Sequence, residues 1–492
     1  MTVSKRQKTQ HRGADTPIPD GASPPHESAE PRHGVPASRV LAGLTAIGAL
    51  LRLYNLGGNS LWLDEAATLS FARQSFLGIW ESTAGGEFNP PLFYWLEHGM
   101  LVFGESEFVL RFLPALLGVL TIPVVYLIGS EFRDRNVGLI AAALLAFSPF
   151  HIFYSQEARA YAPMLFFFSL ALLFYVRAGK ANETRSWVIF GVFSAVAFWM
   201  HFYAIVPVAV LILHALVTRA GSIRDVKNPA LALGAFTAAS LPLLIVTVNL
   251  FLARTSSAPT FGVQGPDVVY QTLLEASGHS NSILASFILL FLLGVAYTWR
   301  GDRDGALLLV FMMFIPLAAS LVLSSRMPMI PRYLIYLLPV YFVGIASAYP
   351  ALCALVRERW AVAVFIAAAV LIGAPFLAAY YTIPQKNDWR GFSAELGGMT
   401  GEGDLVVVLP SYMAQPLDYY YSNATDGTLE IGATTEDDLA AIRACYPGRR
   451  AFYVATADIF AADPSGNAAG WLEENTRLAG QHTGIRLLVS SW

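Results

Sequence analysis

Charge is what this chain has little of. Only 14% of its 492 residues are Asp, Glu, Lys or Arg, where a soluble chain carries roughly 25%. A hydrophobic share of 55% and a mean hydropathy of +0.51 accompany the deficit. Together they exclude an ordinary soluble globule. The net charge of -3 does not suggest a nucleic-acid partner. Cysteine is nearly missing as well. Cys353 and Cys445 are the two, and the threading below puts them on opposite sides of a membrane, so no disulfide is expected. The first apolar run lacks a small-residue cleavage site after it, which makes it an anchor and not a cleaved signal.

What the chain has instead is a series of apolar runs, and runs of about 18 residues or more read as transmembrane helices. Residues 1–38 come before them, with prolines at 17, 19, 24, 25, 31 and 36 and basic residues Lys5, Arg6, Lys8, Arg12 and Arg32. Such a segment cannot bury a core and is expected to be a disordered cytoplasmic tail. Basic residues collect in cytoplasmic loops, which starts the threading inside. Spans are predicted near 39–56, 108–131, 137–153 and 161–177. Residues 187–217 hold two short spans turning at Met200-His201-Phe202, and five more fall near 229–251, 283–299, 306–324, 333–350 and 361–381. That is about eleven transmembrane helices within a module at 39–384. Every strongly basic loop then lands inside. Residues 57–107 form the first outer loop, where NPPLFYWLEHGMLVFG is either a short span or a helix lying in the outer interface; the second reading is preferred, because a full span there would move the basic RDR loop outside. Glu97 and His98 would be its polar face. A polar outer loop is expected at 252–282.

The tail at 385–492 has a different texture. GDLVVVLP, RRAFYVAT and GIRLLVSS read as strands, and TTEDDLAAIRACY and NAAGWLEENTRL as amphipathic helices, the first with a threonine cap and an acidic first turn. Alternation of the two suggests a small α/β domain. An odd number of spans puts it outside. The fold class is therefore an α-helical polytopic membrane protein with a small extracytoplasmic α/β domain.

One stretch raises a chemical question. WLDEAATLS places two carboxylates, Asp64 and Glu65, just past the first span and among apolar neighbours. The same threading brings Glu157 and Arg159 of YSQEARAY, His201, and Arg332 of PRY to that membrane face. Charges at a helix mouth are costly unless paired or lining a polar cavity. Arginine recognises phosphate through a planar fork of donors, and a carboxylate can take a proton from an attacking hydroxyl. The set suits transfer of a group from a lipid phosphate to an acceptor outside the cell.

The order of motifs resembles the GT-C superfamily of integral-membrane glycosyltransferases, in the protein O-mannosyltransferase-like branch (glycosyltransferase family 39-like). The pieces are LWLDEA, FNPPLFYWL, SEFVLRFLPALLGVLTIPVVYLIG, VGLIAAALLAFSPFHIFYSQEARAYA and PRYLIYLLPVY, over about residues 40–350. The resemblance implies a GT-C fold and an inverting glycosyltransferase of the cell envelope. It would move a sugar from a polyprenyl phosphate, such as dolichyl phosphate mannose, to a hydroxyl of a protein, glycolipid or envelope glycan on the outer face. It maps the base onto Asp64, with Glu157 as the second carboxylate and Glu65 beside them. Arg159, Arg332, His201 and Tyr333 would meet the donor phosphate, and Glu87, Asn89, Gln156 and Tyr161 the substrates. Some relatives bind a divalent metal at the second carboxylate. Others work without one, and the second outer loop here has no Asp-X-Asp, so no cofactor is expected to be required, a divalent metal being the open alternative. Partners would be the polyprenyl-phosphate donor, a hydroxyl acceptor and membrane lipids, with no nucleic acid.

Plainer readings stand beside these. Asp64 reads equally as a solvated carboxylate by a helix cap, Glu157 and Arg159 as partners across their turn, Arg332 as a headgroup anchor, and Glu65 as a capping residue. Three other functions fit parts of the pattern: a flippase or transporter of a lipid-linked substrate, a glycan ligase using a lipid pyrophosphate, and a non-catalytic scaffold. A transporter would favour inverted repeats and midplane polar residues. No clear repeat is visible, and the polar residues gather at one face.

Overall fold

The structure is a computed structural model, describing residues 36–219, 223–256, 259, 261–421 and 427–490. The tail expected to be disordered lies, save for its last three residues, outside the described residues. Residues from Ala37 onward make one compact unit.

Helix α1 (Ala37–Leu53) is the first apolar run. Three short helices follow before the next long one: α2 (Leu63–Ala72), α3 (Phe76–Ala84) and α4 (Pro91–Met100). The last starts on a proline, which suits a first helical position because its missing N–H has no partner there anyway. At ten residues it is too short to span, as expected. Its Glu97 departs from the expectation of an interfacial polar face, for it is fully buried. Helix α5 (Glu107–Phe132) is a long apolar helix capped by Ser106.

The predicted third span is broken. It consists of α6 (Arg135–Ala146) and α7 (Pro149–Ser155), bent by 60°. Proline at 149 cannot continue α6, and the Ser148 hydroxyl caps α7 instead. The break frees carbonyls inside the helical layer, and Arg52 of α1 donates to those of Leu145 (3.0 Å) and Ala146 (3.1 Å). Helices α8 (Tyr161–Ala181), α9 (Thr184–Met200) and α10 (Ile205–Thr218) come next, and the turn between the last two falls at His201 as expected. Then follow α11 (Ile223–Arg254), α12 (Pro266–Ala276), α13 (Asn281–Gly301) and α14 (Arg303–Leu323). A 3-10 segment, Pro331–Leu337, leads into α15 (Leu338–Ala346), α16 (Tyr349–Cys353) and α17 (Glu358–Thr382). Among the described residues seven helices are long and apolar enough to cross a membrane, eight with the bent pair. With the shorter α1, α9 and α10, the arrangement is that of a multi-pass integral membrane protein.

The C-terminal part is a five-stranded sheet in the order β2-β1-β3-β5-β4. Strands β1 (Leu405–Leu409), β2 (Leu429–Gly432) and β3 (Ala451–Thr456) run parallel, while β4 (Thr476–His482) and β5 (Ile485–Ser490) form an antiparallel hairpin beside them. The helices are α18 (Trp389–Met399), α19 (Ala414–Tyr421), α20 (Glu436–Cys445), α21 (Ile459–Ala462) and α22 (Asn467–Asn475). Thr435 caps α20, as its sequence implied. Residues 476–478, read as the end of a helix, instead begin β4. Side chains alternate across a strand, so Leu405, Val407 and Leu409 meet α20 and α22, while Val406 and Val408 meet α18 and α19. The second face also packs on Leu63 of α2. That contact brings the α/β layer onto the carboxylate pair.

Candidate active site

Asp64 and Glu65 lie in the first turn of α2, where unpaired N–H groups favour negative charge. Neighbours on a helix point about 100° apart, and these two part company. Glu65 turns inward and is fully buried. Its carboxylate accepts from Arg111 Nε and Nη2 (both 2.7 Å), the Ala158 N–H (2.9 Å) and Lys386 Nζ (3.0 Å). Burial opposes its ionisation, but Arg111 and Lys386 outweigh burial and hold the carboxyl down to about 2. Arg111 also donates to the carbonyls of Leu56, Asn59 and Ser60. Glu65 thus ties α2, α5 and the Glu157 turn together, and its geometry is that of a structural anchor and not of a proton acceptor.

Asp64 turns the other way and is 24% exposed. Its Oδ2 stands 3.2 Å from Arg332 Nη2 and 3.8 Å from Arg159 Nε. Arg159 also donates to the Asp64 carbonyl (3.1 Å) and to Thr68 Oγ1 (3.3 Å), which fixes it against α2. The Arg332 guanidinium lies over the rings of Trp62 (5.4 Å) and Tyr161 (5.6 Å), and Arg159 over Tyr161 (5.9 Å). Burial within this ring is tolerable because both guanidiniums face carboxylate and π surface. Tyr333 stacks on Tyr203 at 4.8 Å, and His201 packs between Tyr161 and Tyr333. The Tyr203 N–H donates to His201 Nδ1. Burial, then Arg159 and Arg332, push the imidazole down to about 3. His201 is therefore at the site but neutral, a hydrogen-bonding group and not the charge-balancing one expected from the sequence.

Glu157 and Arg159 do not pair with each other. Glu157 is buried, and Lys386 Nζ reaches one of its oxygens at 3.5 Å. Its other oxygen has no hydrogen-bond partner. Burial raises its carboxyl above the usual range, with Lys386 opposing. Gln156 was expected to touch substrate, yet its amide is committed elsewhere. It donates to the carbonyls of Arg52 (3.0 Å) and Tyr54 (2.9 Å) and accepts from Tyr380 (2.7 Å), closing the end of α1 against α17. Glu87 and Asn89 meet at Tyr94 of α4, whose hydroxyl donates to Glu87 (2.8 Å). Arg254 donates to the Gly86 and Glu87 carbonyls and holds that turn.

Four contributors escaped sequence reasoning. Lys386 sits in a short linker with no motif around it. Trp62 was noted only as a flank. Glu275 comes from α12, which packs on the Arg332 segment inside the supposed polar loop, and burial raises its carboxyl to about 7 against the pull of Arg332. Glu97, buried with neither oxygen partnered, is held well above the usual range by burial and by Glu65. Next to the site, an apolar groove of about 120 Å³ runs between α10, α11 and α14, from Tyr203 past Phe251 and Leu323, with Arg254 at its rim.

Each carboxylate of the site faces a cationic side chain. Asp64 faces Arg332, Glu65 faces Arg111 and Lys386, and Glu157 faces Lys386. Among the described residues no three His, Cys, Asp or Glu side chains stand together as a metal site.

Residues 89–248 match the family described as dolichyl-phosphate-mannose-protein mannosyltransferase. An uncharacterized protein of Aquifex aeolicus (strain VF5) is 30% identical over 148 residues, 28% of this chain and 30% of that one. The chain thus spans under a third of that curated relative. Among solved structures, ArnT from Cupriavidus metallidurans bound to undecaprenyl phosphate aligns over 92% of this chain and 98% of its own, with 15% identity and a TM-score of 0.61. AglB, the archaeal oligosaccharyltransferase from Archaeoglobus fulgidus, in complex with an inhibitory peptide and a dolichol-phosphate, aligns over 92% and 74%, with 14% identity and a TM-score of 0.55. The arabinofuranosyltransferase AftD from Mycobacteria aligns over 93% and 40%, with 14% identity and a TM-score of 0.50. The likeness is one of fold, and the fold is that of the GT-C glycosyltransferases.

Proposed function

We propose that this protein is an inverting glycosyltransferase, moving a sugar from a polyprenyl-phosphate donor to an acceptor hydroxyl on the outer face of the membrane. One observation carries the reading: Asp64, partly open to solvent, stands with its carboxylate between Arg332 and Arg159. The donor is a phosphodiester with one negative charge. As its C1–O bond breaks, the departing polyprenyl phosphate takes the electron pair and gains a second charge. Two fixed guanidiniums stabilise that growing charge more than they stabilise the bound donor, and this difference is what lowers a barrier. Arginines drawn to phosphate also release Asp64. Its carboxylate then takes the acceptor's proton while the acceptor oxygen bonds C1 from the opposite face. Neutral His201, Tyr161 and Tyr333 line the sugar side. The apolar groove beside Tyr203 suits a lipid chain. The undecaprenyl phosphate and dolichol-phosphate in the names of the structural relatives are lipid phosphates of the kind such a donor would leave behind, which supports the same class, and the charge pairing supports transfer without a divalent cation.

The test compares wild type with Asp64→Asn, purified, on a panel of short-chain polyprenyl-phosphate sugars with an envelope extract as acceptor. Release of polyprenyl phosphate is the readout. One donor should be consumed by wild type, and the variant should fold normally while losing about 10²–10⁴-fold in turnover. Equal turnover by the variant removes Asp64 from the mechanism. No release by folded wild type points to a pyrophosphate-linked donor or to lipid movement without chemistry.

A further inference from the structure

The strap between α17 and α18 carries a lysine into the site. Lys386 is 8% exposed at its side chain. Its ammonium lies 3.0 Å from Glu65, 3.5 Å from Glu157 and 5.8 Å from the centre of the Trp62 ring. Among the described residues it is the one cation in ion-pair contact with Glu157. The strap is pinned on both sides. Before it, Tyr380 donates to Gln156 and Tyr381 to the Leu51 carbonyl. After it, the Arg390 N–H donates to Ser60 Oγ (3.1 Å) and the Arg390 guanidinium pairs with Glu107. Asp388 caps α18. Lysine has a long flexible stem and a strongly hydrated head, so its burial here needs the two carboxylates it meets.

We propose that Lys386 is a positioning residue of the site: its ammonium separates Glu65 from Glu157, orients Glu157 toward Asp64 and Arg332, and makes the assembled site depend on the docked α/β layer. Glu65 keeps Arg111 and the Ala158 N–H besides the lysine. Among the described residues Glu157 has no other cation in contact, so Lys386 is the ion-pair partner that balances its carboxylate. The lysine supplies, on a tether, positive charge where the carboxylates would otherwise require it from elsewhere.

The effect on turnover rests on the function proposed above; the ion pairing does not. The test uses the full chain in detergent as wild type, Lys386→Met, Lys386→Arg and Lys386→Met/Glu157→Gln, with the polyprenyl-phosphate sugar that wild type consumes. Lys386→Met should lower kcat by at least about tenfold with the donor KM within about threefold, because orientation and not donor binding is lost. Besides Lys386, the groups facing Glu157 are Arg332, Glu65, Asp64 and the phenols of Tyr154 and Tyr380. Without the lysine the carboxylates dominate, so the acid limb of the kcat profile should move to higher pH. Lys386→Arg should recover most of the loss. In melting, Glu157→Gln should raise the temperature of the Lys386→Met chain, since it removes the stranded charge. An unchanged kcat and acid limb in Lys386→Met overturns the proposal, and so does a second substitution that lowers melting further. If wild type consumes no donor, the proposed function fails, while the melting comparison still decides whether Lys386 pairs with Glu157.

Discussion

Position 65 shows how a carboxylate is spent on structure. Each Glu65 oxygen accepts from Arg111, and the Ala158 N–H, the Trp62 N–H and Lys386 complete the set. Removing one partner of a buried ion pair strands the other, at a cost of about 3–5 kcal/mol. Glu65→Gln should therefore lower the melting temperature strongly near pH 7, leaving Arg111 and Lys386 underneutralised. The pH dependence has a definite sign. A carboxyl held at about 2 in the folded protein, against an ordinary 4.5, binds its proton less readily folded than unfolded. Its stabilisation is complete above about 4.5 and is lost as pH falls toward 2. The gap in melting temperature between wild type and Glu65→Gln should close over that window, as read by scanning fluorimetry in detergent. A gap that persists unchanged at low pH would mean that Glu65 packs by shape and not by charge. Asp64, its neighbour, was singled out as the candidate base through the family resemblance of the LWLDEA motif. Which of the two side chains turns inward was not legible, since that depends on Arg111 arriving from α5.

Among elements, the apolar runs were readable because a bilayer tolerates few charges and the run lengths reveal the spans. The turn at His201 came from length, and the eleven-helix plan from run length together with the placement of the basic loops. The break at Phe147-Ser148 did not, because SPF reads as an ordinary proline in a long apolar stretch, and its repair comes from Arg52, 94 positions away from Ala146. Strand β4 was missed because Thr476–His482 is mostly exposed at the sheet edge and lacks apolar alternation. The contact of α5 with α6 is a further case of distant specification. Gly129 and Gly138 face each other, and a Cβ at 138 would lie 2.4 Å from the Tyr126 carbonyl oxygen. Backbone atoms cannot yield as a flexible side chain does, and small residues are what let membrane helices approach. Gly138→Ala should therefore destabilise by about 1–3 kcal/mol, seen as a lower melting temperature and poorer detergent extraction. Gly398→Ala, in α18 with open space around its Cβ, should be neutral or slightly stabilising. Equal behaviour of the two variants would show that α5 and α6 can separate without penalty.

For the molecule as a whole, the charges divide between two ends. Asp64, Arg332 and the α/β layer share one. The other gathers the loops that hold Arg133, Arg177 and Arg357, where Asn136 contacts Glu358 and Tyr349 donates to Asp134. By the rule that basic loops stay on the cytoplasmic side, we propose that the site and the α/β layer lie outside. The chain's two cysteines test this directly. Cys445 ends α20 on the α/β layer and is exposed, whereas Cys353 ends α16 near the basic loops, and both are free thiols. A membrane-impermeant maleimide applied to spheroplasts should label Cys445, and Cys445→Ala should abolish the signal. Cys353 should react only after permeabilisation. The opposite pattern would turn the whole chain over in the membrane. Asp64 would then face the cytoplasm, and a base aimed at extracellular hydroxyls would have no acceptor within reach, so the proposed reaction would fall with the topology.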